Sequence, residues 1–150
     1  MSNVQFPIVE SPAATYKMQK HDIYDRATNF VVRVIKYSEK ISNHFSGRII
    51  AKQMIRSASS IGANMFEADG AISIKDFINK MSISRKEALE TRYWLDLLKK
   101  ADIVRNCDNI LELDILYKES DEISRILSSI INKAIKNQKQ NVEFSFGIRH

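Results

Sequence analysis

The sequence predicts an all-α fold, an antiparallel up-down-up-down four-helix bundle. Three observations lead there. Apolar residues recur every three or four positions over four long stretches. Four glycines and two prolines in 150 residues are too few for the turns of a β protein of this size. The segments between the periodic stretches are short, so each helix folds back beside the one before it.

The expected organisation is a flexible N-terminal arm over residues 1–19, the bundle over 20–139 and an extended C-terminal tail over 140–150. The arm holds both prolines, Pro7 and Pro12, and no periodic apolar pattern. The first helix is expected from about Asp22, a candidate cap, to Ser42. Its seam is Ala27, Phe30, Val34, Tyr37 and Ile41. A turn from Asn43 to Gly47 leads to a second helix, Arg48 to Ala68, with Ile50, Met54, Ala58, Ile61, Met65 and Ala68 inward. Gly70 reads as a left-handed terminator, and Ser73 with Asp76 as the capping signal of a third helix. That helix turns Phe77, Met81, Ser84, Ala88, Thr91, Leu95 and Leu98 inward, and the small Ser84 and Ala88 allow close approach of a neighbour. After a connection at Asp102–Cys107, the fourth helix is expected from about Asn109 to Asn137, with Leu116, Ile123, Leu127, Ile130 and Ala134 on its seam. In the tail Val142, Phe144, Phe146 and Ile148 alternate, the spacing of an extended segment.

The apolar stripes are wider than one bundle core requires. Ile74, Ile78, Leu89, Tyr93 and Trp94 on the third helix, and Ile115, Ile126, Ile131 and Ile135 on the fourth, lie off the main seams. Surplus apolar groups of this kind imply a second covered face and hence a homo-oligomer.

Enzyme chemistry finds no support. A carboxylate-bridged metal pair in a bundle needs Glu-x-x-His, yet His21, His44 and His150 are preceded at that spacing by Met18, Ile41 and Gly147. HExxH, GxGxxG and GxxxxGK[ST] are all missing from the sequence. Cys107 stands alone, so no internal disulfide can form, as in a reducing compartment. No apolar run approaches the roughly 18 residues of a membrane span, and the first residues lack a signal-peptide layout. The expectation is a cytoplasmic, non-enzymatic protein without metal, cofactor or membrane partner.

Two constellations remain. A hairpin centred near residues 71–72 places Arg56 opposite Glu87 with Glu90 one turn away, Glu67 near Lys75 and Asp76, and Asn64 near Asn79 and Lys80. An arginine between carboxylates at a helix seam fixes register, so this network is read as structural. The second is the charge order of the fourth helix. Asp108 to Glu122 carries six acids and one base, whereas Ile123 to Lys139 carries Arg125, Lys133, Lys136 and Lys139 and no acid. That order suits the helix dipole. It also offers a basic stripe for RNA or DNA phosphates, to which Lys80, Lys86, Lys99 and Lys100 of the third helix would add. The formal net charge of +5 agrees with an anionic partner. The rival reading is a protein-interaction scaffold that recruits a partner enzyme through exposed apolar surface or the Phe144/Phe146 tail.

The stretch from Arg56 to Leu98 resembles the four-helix-bundle family named after 23S ribosomal RNA intervening-sequence proteins. The resembling residues are Arg56, Ser60-Ile61-Gly62-Ala63-Asn64, Glu67-Ala68, Gly70, Lys75-Asp76-Phe77, Glu87-Ala88, Glu90-Thr91 and Tyr93-Trp94-Leu95. Phe66, where a small residue is usual, and Asp69 depart from the pattern. The resemblance implies a bundle assembled as a homopentameric ring, with no catalytic residues. A distantly similar accessory protein of diversity-generating retroelements is a basic, nucleic-acid-binding pentamer, and by analogy it implies the nucleic-acid reading.

Overall fold

The structure, a computed structural model, describes the backbone of residues 12–147 and the side chains of 22–106 and 109–141. It contains four helices, α1 (Pro12–Ile41), α2 (Phe45–Asp69), α3 (Ile74–Lys100) and α4 (Cys107–Gly147), and no strand among the described residues. α1 packs on α2 and α4, and α3 packs on the same two; the α1–α4 seam is the slimmest.

Three boundaries differ from expectation. α1 begins at Pro12, so Asp22 stands inside a helix and caps nothing. Proline needs no amide partner in a first turn and its φ already suits a helix, and Ala13 and Ala14 favour one. Of the expected arm, residues 1–11 lie outside the described residues. α2 begins at Phe45, which puts Gly47 in its first turn instead of a loop. α4 continues through the expected tail to Gly147, while 148–150 lie outside the described residues. Between Asn137 and Gly147 there is no proline or glycine. A lone extended segment would leave its backbone groups without partners, which a continuing helix supplies.

The predicted seams are the core. Phe30, Val34, Tyr37, Met54, Ala58, Ile61, Met65, Met81, Ala88, Leu95, Leu98, Leu116, Ile123 and Leu127 are all buried. Phe77, Ile130 and Ala134 are half-buried. Val104, from the α3–α4 connection, closes one end of this core.

Hydroxyl groups tie the helices together where small side chains let them approach. Ser57 Oγ and Thr91 Oγ1 share a hydrogen bond of 2.8 Å, Ser84 Oγ donates to the Ile61 carbonyl at 2.9 Å, and Ser120 Oγ donates to the Ala88 carbonyl at 2.7 Å. At the α1–α2 interface Tyr24 donates to the Met65 carbonyl at 3.0 Å.

The helix ends use both expected and unexpected devices. Ser73 caps α3, its Oγ accepting from the Asp76 amide at 3.0 Å. Ser73→Ala should therefore lower stability by about 1 kcal/mol, read from the urea midpoint. Gly70 is not left-handed, with φ −90 and ψ 10. Its amide and that of Ala71 instead bond back to Glu67 and Ala68 at 3.2 Å each, closing the turn without a positive φ. The positive φ falls on Asp102, at 50°, just beyond α3. Aspartate tolerates that region better than most residues.

Candidate nucleic-acid interface

The tertiary structure treats the two halves of α4 differently. The acids of its first half from Glu112 to Glu122 are taken up by cations from the neighbouring helices. Arg33 of α1 holds Glu112 at 3.0 Å, and Arg26 clamps Glu119 at 2.6 and 2.8 Å and also pairs with Glu122. From α3, Lys99 pairs with Asp114 at 2.6 Å and Arg92 with Asp121. Hydrogen bonds from Arg26 hold the Glu119 carboxyl below its ordinary range, and the carboxylates raise the guanidinium in turn. A depressed folded pKa stabilises above the unfolded carboxylate range and is lost as pH falls. Glu119→Gln should accordingly flatten the decline of the urea midpoint between about pH 6 and about pH 3.

The basic half keeps its charge outward. Lys133, Lys136 and Lys139 are exposed, and Lys136 and Lys139 make no ion pair among the described residues. Steps of three residues wind back around a helix by about 60° each, so the three form a spiral band; Arg125 and Lys136, eleven apart, share a line to within about 20°. Arg125 reaches back to Asp121 at 2.8 Å.

The α3 candidates are more divided. Lys86 is exposed and makes no ion pair among the described residues. Lys80 pairs with Glu67, Lys99 with Asp114, and Lys100 with Asp96 at 2.6 Å. Lys99 and Lys100 stand level with the start of α4, roughly 30 Å along it from Lys133. The eight candidate cations therefore do not form one patch.

The hairpin network forms, one turn further along α3 than its centre implies. Arg56 bonds Glu90 and stands 3.7 Å from Glu87, while Glu67 meets Lys80 instead of Lys75 and Asp76. Side chains lean toward the N-terminus of their own helix, so those of α2 lean away from the turn and those of α3 toward it. Asn64 takes no part, donating to the Ser60 carbonyl at 2.8 Å within α2. The sequence reading missed Trp94, whose Nε1 donates to Glu90 at 3.2 Å. The bond from Arg56 lowers the Glu90 carboxyl, whereas burial raises that of Glu87, whose Oε2 is buried without a hydrogen bond.

The apolar surplus is partly absorbed by the chain's own core. Ile131 is buried, and Ile78, Trp94, Ile126 and Ile135 pack against the core. Ile74, Leu89, Tyr93 and Ile115 stay exposed, as does Phe66, at 65% exposure, edge-on to Tyr24.

One feature had no signal in the sequence. At the end of the bundle where α2 and α4 begin, a half-open cavity of about 510 Å³ lies between the first and third connections. Lys40, His44, Ser46, Asp102, Arg105 and Asn109 are among its lining residues. They come from segments some sixty residues apart in the chain. Among the described residues no group of three His, Cys, Asp or Glu could hold a metal ion, and no helix is long and apolar enough to cross a membrane.

Four long helices around a shared core, with ion-paired seams and a basic end to α4, define an all-α protein of the four-helix class. The chain belongs to the 23S rRNA-intervening sequence protein family, whose model matches residues 19–129. It is similar to the crystal structure of a protein of unknown function from the S23 ribosomal protein family of Bacteroides thetaiotaomicron. Identity is 36% over 75% of this chain and 97% of the other, with a TM-score of 0.68. No curated protein matches the chain. The family match ends ahead of Lys133, Lys136 and Lys139.

Proposed function

We propose that this chain is a non-enzymatic, cytoplasmic helical protein that binds RNA or DNA through the basic half of α4. In this reading the helices form an antiparallel up-down-up-down bundle, and copies assemble into a homopentameric ring. One observation carries it: cations from α1 and α3 neutralise the acids of α4 from Glu112 to Glu122, while Lys136 and Lys139 stand exposed and make no ion pair among the described residues. The exposed Leu89, Tyr93 and Ile115 supply apolar surface for the contact between copies. Repetition of the basic band around a ring multiplies weak phosphate contacts into useful avidity.

The test is a binding titration against structured RNA and duplex DNA at several salt concentrations, with light scattering on the same sample. Expected are an affinity that falls steeply with salt and a mass several times that of one chain. Affinity absent at low salt would refute the nucleic-acid reading, and a monomer at micromolar concentration would refute the ring.

A further inference from the structure

The cavity at the connection end of the bundle has the chemistry of an anion site. Lys40, His44 and Arg105 are among its lining side chains; Ser46, Asn106 and Asn109 add polar groups, and Asp102 is the one acid among its described lining residues. Arg105 stands apart from the other described arginines. Arg26, Arg33, Arg56, Arg92 and Arg125 are in ion pairs, Arg48 donates to the Ser42 carbonyl and Arg85 to Ser128. Arg105 alone of these has neither a hydrogen bond nor an ion pair among the described residues, and among them Lys40 likewise has no partner.

Geometry adds to charge. α2 and α4 both start at this cavity, and amides in a helix's first turn lack carbonyl partners within the helix. The His44 side chain makes no capping bond to α2. A guanidinium with five donors in a fixed fork suits the oxygens of a phosphate. At about 510 Å³ the cavity is large enough for a phosphate and the group that carries it.

We propose that this cavity binds a phosphate group, held by Arg105 and Lys40 with donors from the first turns of α2 and α4. It lies at the opposite end of the molecule from the Lys133–Lys139 band, so it stands or falls separately from the proposed nucleic-acid surface.

The experiment is a titration of the full chain with inorganic phosphate at constant ionic strength, followed by amide NMR shifts. Expected is a saturable shift centred on Ser46, Gly47, Asn106 and Asn109. The double variant Lys40→Gln/Arg105→Gln changes two exposed side chains that have no partner among the described residues, so it should fold normally; it should bind phosphate about ten-fold more weakly or worse. Lys133→Glu/Lys136→Glu/Lys139→Glu should leave this shift unchanged. Shifts that do not saturate, or a double variant that binds like the parent, would overturn the site. A second arm compares 5′-phosphorylated with 5′-hydroxyl oligonucleotides of one sequence. A preference for the phosphorylated form that vanishes in the double variant assigns the site to a polynucleotide end. Equal binding of the two, with the phosphate shift intact, assigns it to a free phosphate compound.

Discussion

Gly47→Ala is expected to be the most damaging single-methyl change in this chain. A Cβ at position 47 would sit 2.1 Å from the Ile41 carbonyl oxygen and 3.2 Å from its carbon. Both atoms are backbone at the end of α1, so no side chain can swing away. The first turn of α2 would have to lift from the last turn of α1, loosening Ile41 and Ile50, both buried there. Overpacking of this kind costs up to about 3 kcal/mol, a fall in Tm of roughly 6–12 °C for a domain of this size. Gly70→Ala is the control. Its Cβ would lie 3.7 Å from the Glu67 carbonyl, an ordinary contact, and its φ is negative. The change should be neutral or stabilising by up to about 1 kcal/mol. Both are read by thermal melts at one protein concentration, because association would itself raise Tm. Equal Tm values for the two variants would show that the α1–α2 turn does not have the geometry described.

Reversing the α4 band, with Lys133, Lys136 and Lys139 all changed to glutamate, should abolish most nucleic-acid affinity while sparing the fold. All three side chains are exposed and lie outside the buried core. If each lysine meets a phosphate, removing three contacts lowers the slope of log affinity against log salt by about 2–3 and affinity at low salt by about 100-fold. The comparison set is Lys80, Lys99 and Lys100, each changed to glutamine. These lysines already face Glu67, Asp114 and Asp96, so they have less charge to offer a phosphate. They should matter less to binding, and as surface pairs they should matter little to stability. The glutamate set changes net charge twice as much as the glutamine set, so a glutamine set with about half the logarithmic loss of the glutamate set would mean that net charge, not the α4 band, governs binding.

Much of the fold was legible because helix seams announce themselves at short range. Met54, Ala58, Ile61 and Met65 are buried as their spacing requires, and Ser73 caps α3 as its distance from Asp76 requires. The boundaries were less legible. The sequence places Gly47 at the end of a turn, yet it is helical because its missing side chain lets two helix ends meet. The apolar alternation after Asn141 suggested an extended tail, although nothing in those residues stops a helix. The hairpin network was located to within a turn, because the lean of the side chains moves ion pairs along from the backbone register.

The candidate site divides along the same line. That the second half of α4 is basic and its first half acidic is a fact of chain order, and any fold would inherit it. Which charges remain available is a fact of packing: Arg26, Arg33, Arg92 and Lys99 reach the acidic half only because α1 and α3 lie against it. The meeting of Lys40 and Arg105 at one cavity follows from the connections of separate hairpins closing over the same end of the core. Periodicity in a single strip of sequence determines which face of a helix is turned inward. Only the mutual placement of helices distant in the chain decides which charges cancel and which stay open to a partner.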